Sequence, residues 1–242
     1  MSDLPENEKK AEAGAIDTEA SGINAEASAV EEVGKDAFSL KKEVFEWIYT
    51  IAVALIIAFL IKGFLFDIVR VDGESMYPTL MNNDRLVVTK IGYKPQQKDI
   101  IILDSTYHKR REHYEALEMG GKSYNWFTKA INYFSLPENL KIRYYVKRVI
   151  ALPGQTVDIQ DGNVYVDGEL LEEEYYDGVT SAYDPAVQFP LTVEDGYVFV
   201  MGDNRGNSKD SRSSSLGQIP YKAILGKAQL RIWPFNSIGV TR

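Results

Sequence analysis

The longest apolar stretch of the chain is residues 44–66, VFEWIYTIAVALIIAFLIKGFLF, in which residues 47–61 carry no charge and only Glu46 and Lys62 interrupt the wider run. Twenty-three helical residues reach ~34 Å, enough for a bilayer core of ~30 Å, so the stretch predicts one transmembrane helix. Trp47 and Tyr49 suit the near interface, and Lys62 can extend its amine toward the far one. Beyond it the pattern changes to short runs of β-forming residues between Gly, Asp and Pro. Strands are predicted at 67–71, 85–90, 99–104, 142–150, 156–160, 163–166, 197–201 and 228–232. Asp161-Gly162 and Asp167-Gly168 are hairpin signals. Many short strands without alternating helices predict a mainly β fold of antiparallel sheets, a sandwich or a closed barrel. Residues 105–140 break the pattern. Trp126, Phe127, Ala130, Ile131 and Phe134 recur at helical spacing, which predicts a helix packed on a sheet or, as the alternative, lying on a membrane surface.

Charge changes the picture at the N-terminus. Of the net −8, residues 1–36 carry ten acids against three lysines, or −7, which leaves −1 for the other 206 residues. An Ala, Glu and Ser-rich acidic segment of this kind predicts a disordered tail over 1–43. It has no basic start leading into an apolar core, so it does not read as a signal peptide. The near-neutral remainder offers no nucleic-acid surface. Lys41 and Lys42 on one side of the span and Lys62 and Arg70 on the other barely decide orientation. A short tail followed by a large domain favours a cytoplasmic N-terminus and an extracytoplasmic domain at 67–242, with 105–140 as a partly helical insert.

The inventory narrows the chemistry. There is no cysteine, which excludes disulfides, thiolate catalysis and cysteine metal sites. The two histidines, His108 and His113, lie in one charged run, HKRREH, whose expected place is a solvated surface, so a Ser-His pair and a histidine metal site are both disfavoured. No cofactor and no metal are expected. Ser75 follows a tight turn at Asp72-Gly73, next to the membrane, and Pro78 prevents a clean helix start; it is either a nucleophile or an ordinary turn serine. A serine nucleophile needs a base. Alternation along 143–151 puts Tyr145, Lys147 and Val149 on one face of a strand, where burial would favour the neutral amine of Lys147. The polar stretch 202–212, GDNRGNSKDSR, is either a solvated loop or a structured one in which Ser208 orients that amine and Asp210 pairs with Arg212.

Three segments, SMYPTL at 75–80, YVKRV at 145–149 leading to Pro153-Gly154, and GDNR through SKDSR at 202–212, resemble the characteristic boxes of bacterial type I signal peptidases. They occur in the family's order behind a single span, and the resemblance covers residues 47–242. It implies a Ser-Lys serine endopeptidase with a signal-peptidase-type catalytic β-domain that removes signal peptides from secreted preproteins outside the cell membrane. Preproteins, the lipid bilayer and the secretion translocon are the implied partners.

The roles carried over are Ser75 as acyl-forming nucleophile, with its backbone N–H as one oxyanion donor, and Lys147 as general base. Ser208 matches the serine that supports the dyad, and Asp203, Asp210 and Arg212 match the structural support. Where some members place a serine with a second oxyanion donor, this chain has Gly73, as Gram-positive members do, and that donor is unassigned. The family's preference for small residues one and three positions before the cut implies shallow apolar pockets, with Val71, Met76, Tyr145 and Val146 as expected walls. A strand edge near Tyr145 is the expected partner for an extended substrate. Two other readings share the residues: an inactive membrane-anchored binding module on the same fold, and a self-cleaving Ser-Lys protease of the repressor type, which would need a DNA-binding region in place of the span.

Overall fold

The computed structural model describes residues 42–121 and 123–241, with Lys62 and Phe64 as backbone alone. The expected disordered tail therefore lies outside the described residues up to residue 41. The chain divides into two compact units at Leu60. What is described of the first is one helix, α1 (Lys42–Leu60), long and apolar enough to cross a membrane. Among the described residues almost nothing covers its side chains, nearly all of which are exposed. The predicted span of 44–66 is shorter at its C-terminal end. A single π-helical turn occupies Ile61–Leu65, and Phe66 is already the first residue of a strand. The cause is pairing: Phe66 lies opposite Thr89, and the Lys90 N–H donates to the Leu65 carbonyl at 3.0 Å. Nineteen helical residues still reach ~28 Å.

The second unit runs from Ile61. Its strands are β1 (Phe66–Arg70), β2 (Arg85–Thr89), β3 (Ile100–Asp104), β4 (Tyr144–Ala151), β5 (Thr156–Gln160), β6 (Asn163–Val166), β7 (Glu169–Leu170), β8 (Leu191–Thr192), β9 (Tyr197–Met201), β10 (Ile219–Pro220), β11 (Ile224–Trp233) and β12 (Gly239–Val240). All pair antiparallel, in an eight-stranded sheet ordered β1-β2-β11-β3-β4-β9-β10 with β12 on β11, and a four-stranded sheet ordered β7-β6-β5-β8. The short β7, β8, β10 and β12 carry too few residues to show a period, and the sequence reading missed them.

Strand β3 explains the Ile-Ile-Ile-Leu run. Ile100 and Ile102 enter one core cluster with Val71, Met76, Leu80 and Val146; Ile101 and Leu103 enter another with Val149, Val198 and Val200. A strand buried on both faces is apolar at every position. The two sheets share a third cluster, in which Ile150, Phe199 and Met201 meet Val157, Val164 and Val166. Both Asp-Gly pairs form the expected turns, with Asp161 (φ 48°), Gly162 (83°), Asp167 (55°) and Gly168 (84°) all left-handed.

The insert holds α2 (Tyr107–Met119) and α3 (Trp126–Asn132). Tyr114 of α2 closes a small separate core with Leu136 and Leu140, flanked by Leu117, Tyr124 and Tyr133. His108 is not solvated as expected: it is half-buried, contacts the Gln218 carbonyl at 3.1 Å and stacks on Tyr197. The helix predicted around Trp126 forms, capped by the Asn125 side chain accepting from the Thr128 N–H at 2.9 Å, but it does not pack on a sheet. None of its residues is buried, because Tyr133, Leu136 and Leu140 have already closed the core beside it.

Candidate active site

Ser75 sits on a loop between β1 and β2 that is fixed from below by Val71, Met76 and Leu80, all buried in the first cluster. Above these anchors the backbone is tied in several places. The Val71 N–H donates to Asp84 O (2.8 Å), Asn83 N–H to Val71 O (2.9 Å), and Leu80 N–H to Met76 O (2.8 Å). Gly73 takes φ 100°, which a side chain would resist, and its N–H donates to Asn82 Oδ1 at 3.1 Å. The loop is thus held by packing and hydrogen bonds, and it presents the half-buried Ser75 beside β4.

Lys147 is the fourth residue of β4, and its Nζ lies 2.7 Å from Ser75 Oγ. The amine also donates to Val146 O at 3.0 Å and stands 5.2 Å above the Tyr145 ring. Only 2% of the residue is exposed. Burial lowers its pKa from 10.5 to about 8; the Asp210 and Asp203 carboxylates act against that, and Arg212 adds to it. A useful fraction of the amine is therefore neutral near physiological pH, which is the requirement for a lysine base.

The stretch 202–212 is a structured loop laid against the Ser75 loop. Asn204 N–H donates to Ser75 O at 3.0 Å and the Asn204 side chain to Glu74 O at 3.1 Å. Thr79 Oγ1 donates to Asp203 Oδ2 at 2.5 Å. Asp203 in turn receives both Arg148 Nε (2.9 Å) and Nη2 (2.7 Å), with the guanidinium 3.7 Å above the Tyr175 ring. Asp210 and Arg212, fully buried, form the expected pair through two bonds of 2.9 and 2.8 Å. Asp210 also accepts from the Gly202 N–H at 3.0 Å, and Arg212 donates to Arg205 O at 2.9 Å. These are bidentate, charge-assisted contacts that close the hydrogen-bond needs of buried charges. Gly202 is at a close crossing: a Cβ there would meet Ser208 Oγ at 2.2 Å and Ser75 O at 2.4 Å.

Two expectations need correction. The bond from Ser208 to the lysine amine is absent: Ser208 Oγ is buried without a hydrogen-bond partner, and the amine's contacts go to Ser75 and Val146. Met76 is not a pocket wall. A cleft of about 470 Å3 beside the dyad is lined by Val71, Tyr145 and Val146, together with Ser75, Lys147 and Gly73. Met76 points into the core and is 1% exposed, since in this turn adjacent side chains diverge. Thr79, Arg148, Asn204 and Gly202 were not singled out by sequence reading as site residues. Arg148, a second charge beside Lys147 in a largely apolar strand, was the legible signal among them.

The cleft has open strand edges. Strand β4 pairs with β3 over 144–148, but with β9 only from Arg148 onward, so Tyr144, Tyr145, Val146 and Lys147 have no strand partner on that side. Among the described residues strand β1 pairs with β2 alone, and Val69 and Arg70 also line the cleft. The expected edge near Tyr145 is thus an edge in the sheet register.

The family described as "Signal peptidase, peptidase S26" matches residues 44–233. The chain is 38% identical over 196 residues to "Probable signal peptidase I-1" of Synechocystis sp., covering 77% of this chain and 81% of that protein. It is 34% identical over 210 residues to "Signal peptidase I" of Bacillus licheniformis (83% and 95%). Against "Signal peptidase I S" of Bacillus subtilis it is 32% identical over 218 residues (84% and 96%).

Proposed function

This chain belongs to the peptidase S26 family of signal peptidases, and on that premise we propose that it is a membrane-anchored enzyme that cuts N-terminal signal peptides from secreted preproteins with a Ser75–Lys147 dyad. The observation that carries the dyad is the 2.7 Å contact between the Ser75 hydroxyl and an amine whose pKa is lowered to about 8. With the amine neutral, the same contact runs with Ser75 O–H donating and Nζ accepting. Attack of Oγ on the scissile carbonyl moves that proton to Lys147. The oxyanion forms next to the Ser75 backbone N–H, and the ammonium then protonates the departing amine. Water, deprotonated by the neutral Lys147, releases the acyl group from Ser75.

The substrate reading rests on the cleft. An extended segment added between the free edge of β4 at Tyr144–Lys147 and that of β1 would gain main-chain hydrogen bonds and bring its carbonyl to Ser75. Val71, Tyr145 and Val146 then form apolar walls of the cleft, and the proposed preference for small residues would act by steric exclusion at these walls. Asp203, Asp210 and Arg212 support the arrangement by fixing the loop that holds Ser75 from behind. For Ser208, whose buried Oγ has no partner and lies close to Gly202, the proposed role is to receive the amine once Lys147 leaves Ser75. Helix α1 is the single span, with residues 1–43 cytoplasmic and the domain from 67 to 242 outside, within reach of preproteins delivered by the translocon. The test is to reconstitute the full chain in lipid with a model preprotein and locate the cut by mass spectrometry. A cut after a small residue that disappears in Ser75→Ala is expected; an intact preprotein with folded wild type overturns the reading.

A further inference from the structure

Residues 171–190 join β7 to β8 without forming a regular element. They are nevertheless tied to the small sheet. The Leu171 N–H donates to Val164 O at 2.9 Å, the Thr180 N–H donates to Gly162 O at 2.8 Å, and Leu191 lies opposite Val157. Between these ties, three tyrosines each cover one buried arginine. The Tyr175 ring lies 3.7 Å from the Arg148 guanidinium, Tyr176 4.8 Å from that of Arg205, and Tyr183 5.1 Å from that of Arg212. A guanidinium donates only in its own plane, so oxygens meet its rim and rings cover its faces. The segment supplies rim contacts as well. Thr180 Oγ1 accepts from Arg205 Nη1 at 2.7 Å, and Ser181 O accepts from Arg212 Nη1 at 3.3 Å. Glu173 forms a bidentate pair with Arg205 and accepts from the Tyr175 hydroxyl at 2.7 Å.

All three arginines belong to the frame around Ser75. Arg148 follows Lys147 in β4 and grips Asp203, which also takes the hydroxyl of Thr79 on the Ser75 loop. Arg205 Nε donates to Gly202 O at 3.0 Å, and Gly202 packs so near Ser75 O and Ser208 Oγ that a Cβ has no room. Arg212 holds Asp210, and the Tyr183 hydroxyl reaches Ser208 O at 3.4 Å. We infer that residues 171–190 are a positioning strap for the dyad, in which Glu173, Tyr175 and Tyr183 act through Arg148, Arg205 and Arg212 to hold the loop 202–212 against Ser75. The small sheet lends no residue to the cleft, yet through the strap it sets the geometry there. Any apolar cover would exclude water, but a ring on the face of each cation also fixes the tilt of its fork. A carboxylate gripped by two parallel bonds then has one position. With a ring removed, water reaches the cation, the fork loosens and Ser75 drifts from Lys147. The inference rests on the peptidase reading for its rates.

The experiment uses the full chain in lipid, with steady-state cleavage of a model preprotein and hydrogen–deuterium exchange of the enzyme alone. Tyr175→Leu should lower kcat about tenfold while KM stays within about twofold, as expected when only the alignment of the reacting atoms is lost. Tyr175→Phe keeps the ring and should restore most of kcat. Exchange in Tyr175→Leu should quicken over 75–80 and 202–212 and stay unchanged in β11. Phe189→Leu is the control: it lies in the same segment but packs on Phe199 in the core shared by the two sheets, so kcat should hold. Wild-type kcat in Tyr175→Leu overturns the inference, as does Tyr175→Phe as slow as the leucine variant, or Phe189→Leu as slow as either. Thermal melts establish folding. Should Tyr175→Leu not fold, Tyr183→Leu at its exposed position takes its place, with a fall in kcat that Tyr183→Phe restores; wild-type kcat there overturns the strap. A folded wild type that leaves the preprotein intact defeats the peptidase reading instead, and the exchange pattern, which needs no substrate, then decides the strap by itself.

Discussion

Lys147 Nζ and Ser75 Oγ meet at 2.7 Å across 72 residues of chain. The contact is made by two independent constructions. The Ser75 loop is pinned by its own apolar anchors, and Lys147 is delivered by a strand whose register is set by β3, with Ile101 opposite it. Neither part depends on substrate, so the pair is preformed. Replacing either member should abolish preprotein cleavage, and circular dichroism should show Ser75→Ala melting close to wild type. Cleavage at the normal rate by Ser75→Ala or Lys147→Ala removes the dyad.

The buried amine makes a second statement, about pH. Its pKa is about 8 folded against 10.5 ordinarily, so the unfolded chain binds a proton that the folded chain gives up first. Stability should therefore rise between pH 8 and 10.5 and carry a constant penalty below 8, about 3 kcal/mol at most. Lys147→Met removes the charge while keeping the volume, and at pH 7 it should gain about 1–3 kcal/mol in denaturant melts, after loss of the amine's own contacts. Activity should run in the same direction: kcat/KM falls about tenfold per pH unit well below 8, where the amine is charged. A flat pH profile down to pH 6 contradicts a lysine base.

Arg212→Ala should cost about 3–5 kcal/mol, because it strands the fully buried Asp210 carboxylate without its cation. Thermal unfolding measures it. A change below 1 kcal/mol would mean that water reaches Asp210 and that the loop is looser than its contacts imply.

Ser208→Ala removes a buried hydroxyl that has no partner, so it should leave stability within about 1 kcal/mol or raise it slightly. The same substitution should slow cleavage if the amine moves to Ser208 during turnover. A large loss of stability shows instead that the hydroxyl is bonded in solution.

Gly202→Ala tests the crossing behind the nucleophile. The new methyl meets a backbone oxygen, Ser75 O, and not merely the tip of a flexible side chain. Overpacking of this kind costs about 1–3 kcal/mol and should shift Ser75 away from Lys147, lowering kcat more than KM rises. Wild-type kcat in this variant removes the claim that this crossing positions Ser75.

Residues alone were enough for one helix long and apolar enough to cross a membrane, for most strands and for both Asp-Gly turns, because period, apolar length and left-handed turn chemistry are local properties. They were enough, with the family resemblance, to nominate Ser75, Lys147, Asp210 and Arg212, and comparison with relatives then placed the chain in its family. Local pattern failed where the answer lay in who packs against whom. The apolar helix stops at Leu60, ahead of the predicted Phe66, because Phe66 has β2 for a partner. Met76 turned out to be core, Ser208 stands without a partner, and Arg148 with Thr79 joins Asp203 in a network that no spacing announced. The aromatic stripe of α3 was plain in the letters, but whether it faced a sheet or the outside was not. Periodicity names a side of a helix; only the closure of the small core around Tyr114, Leu136 and Leu140 leaves that side uncovered among the described residues.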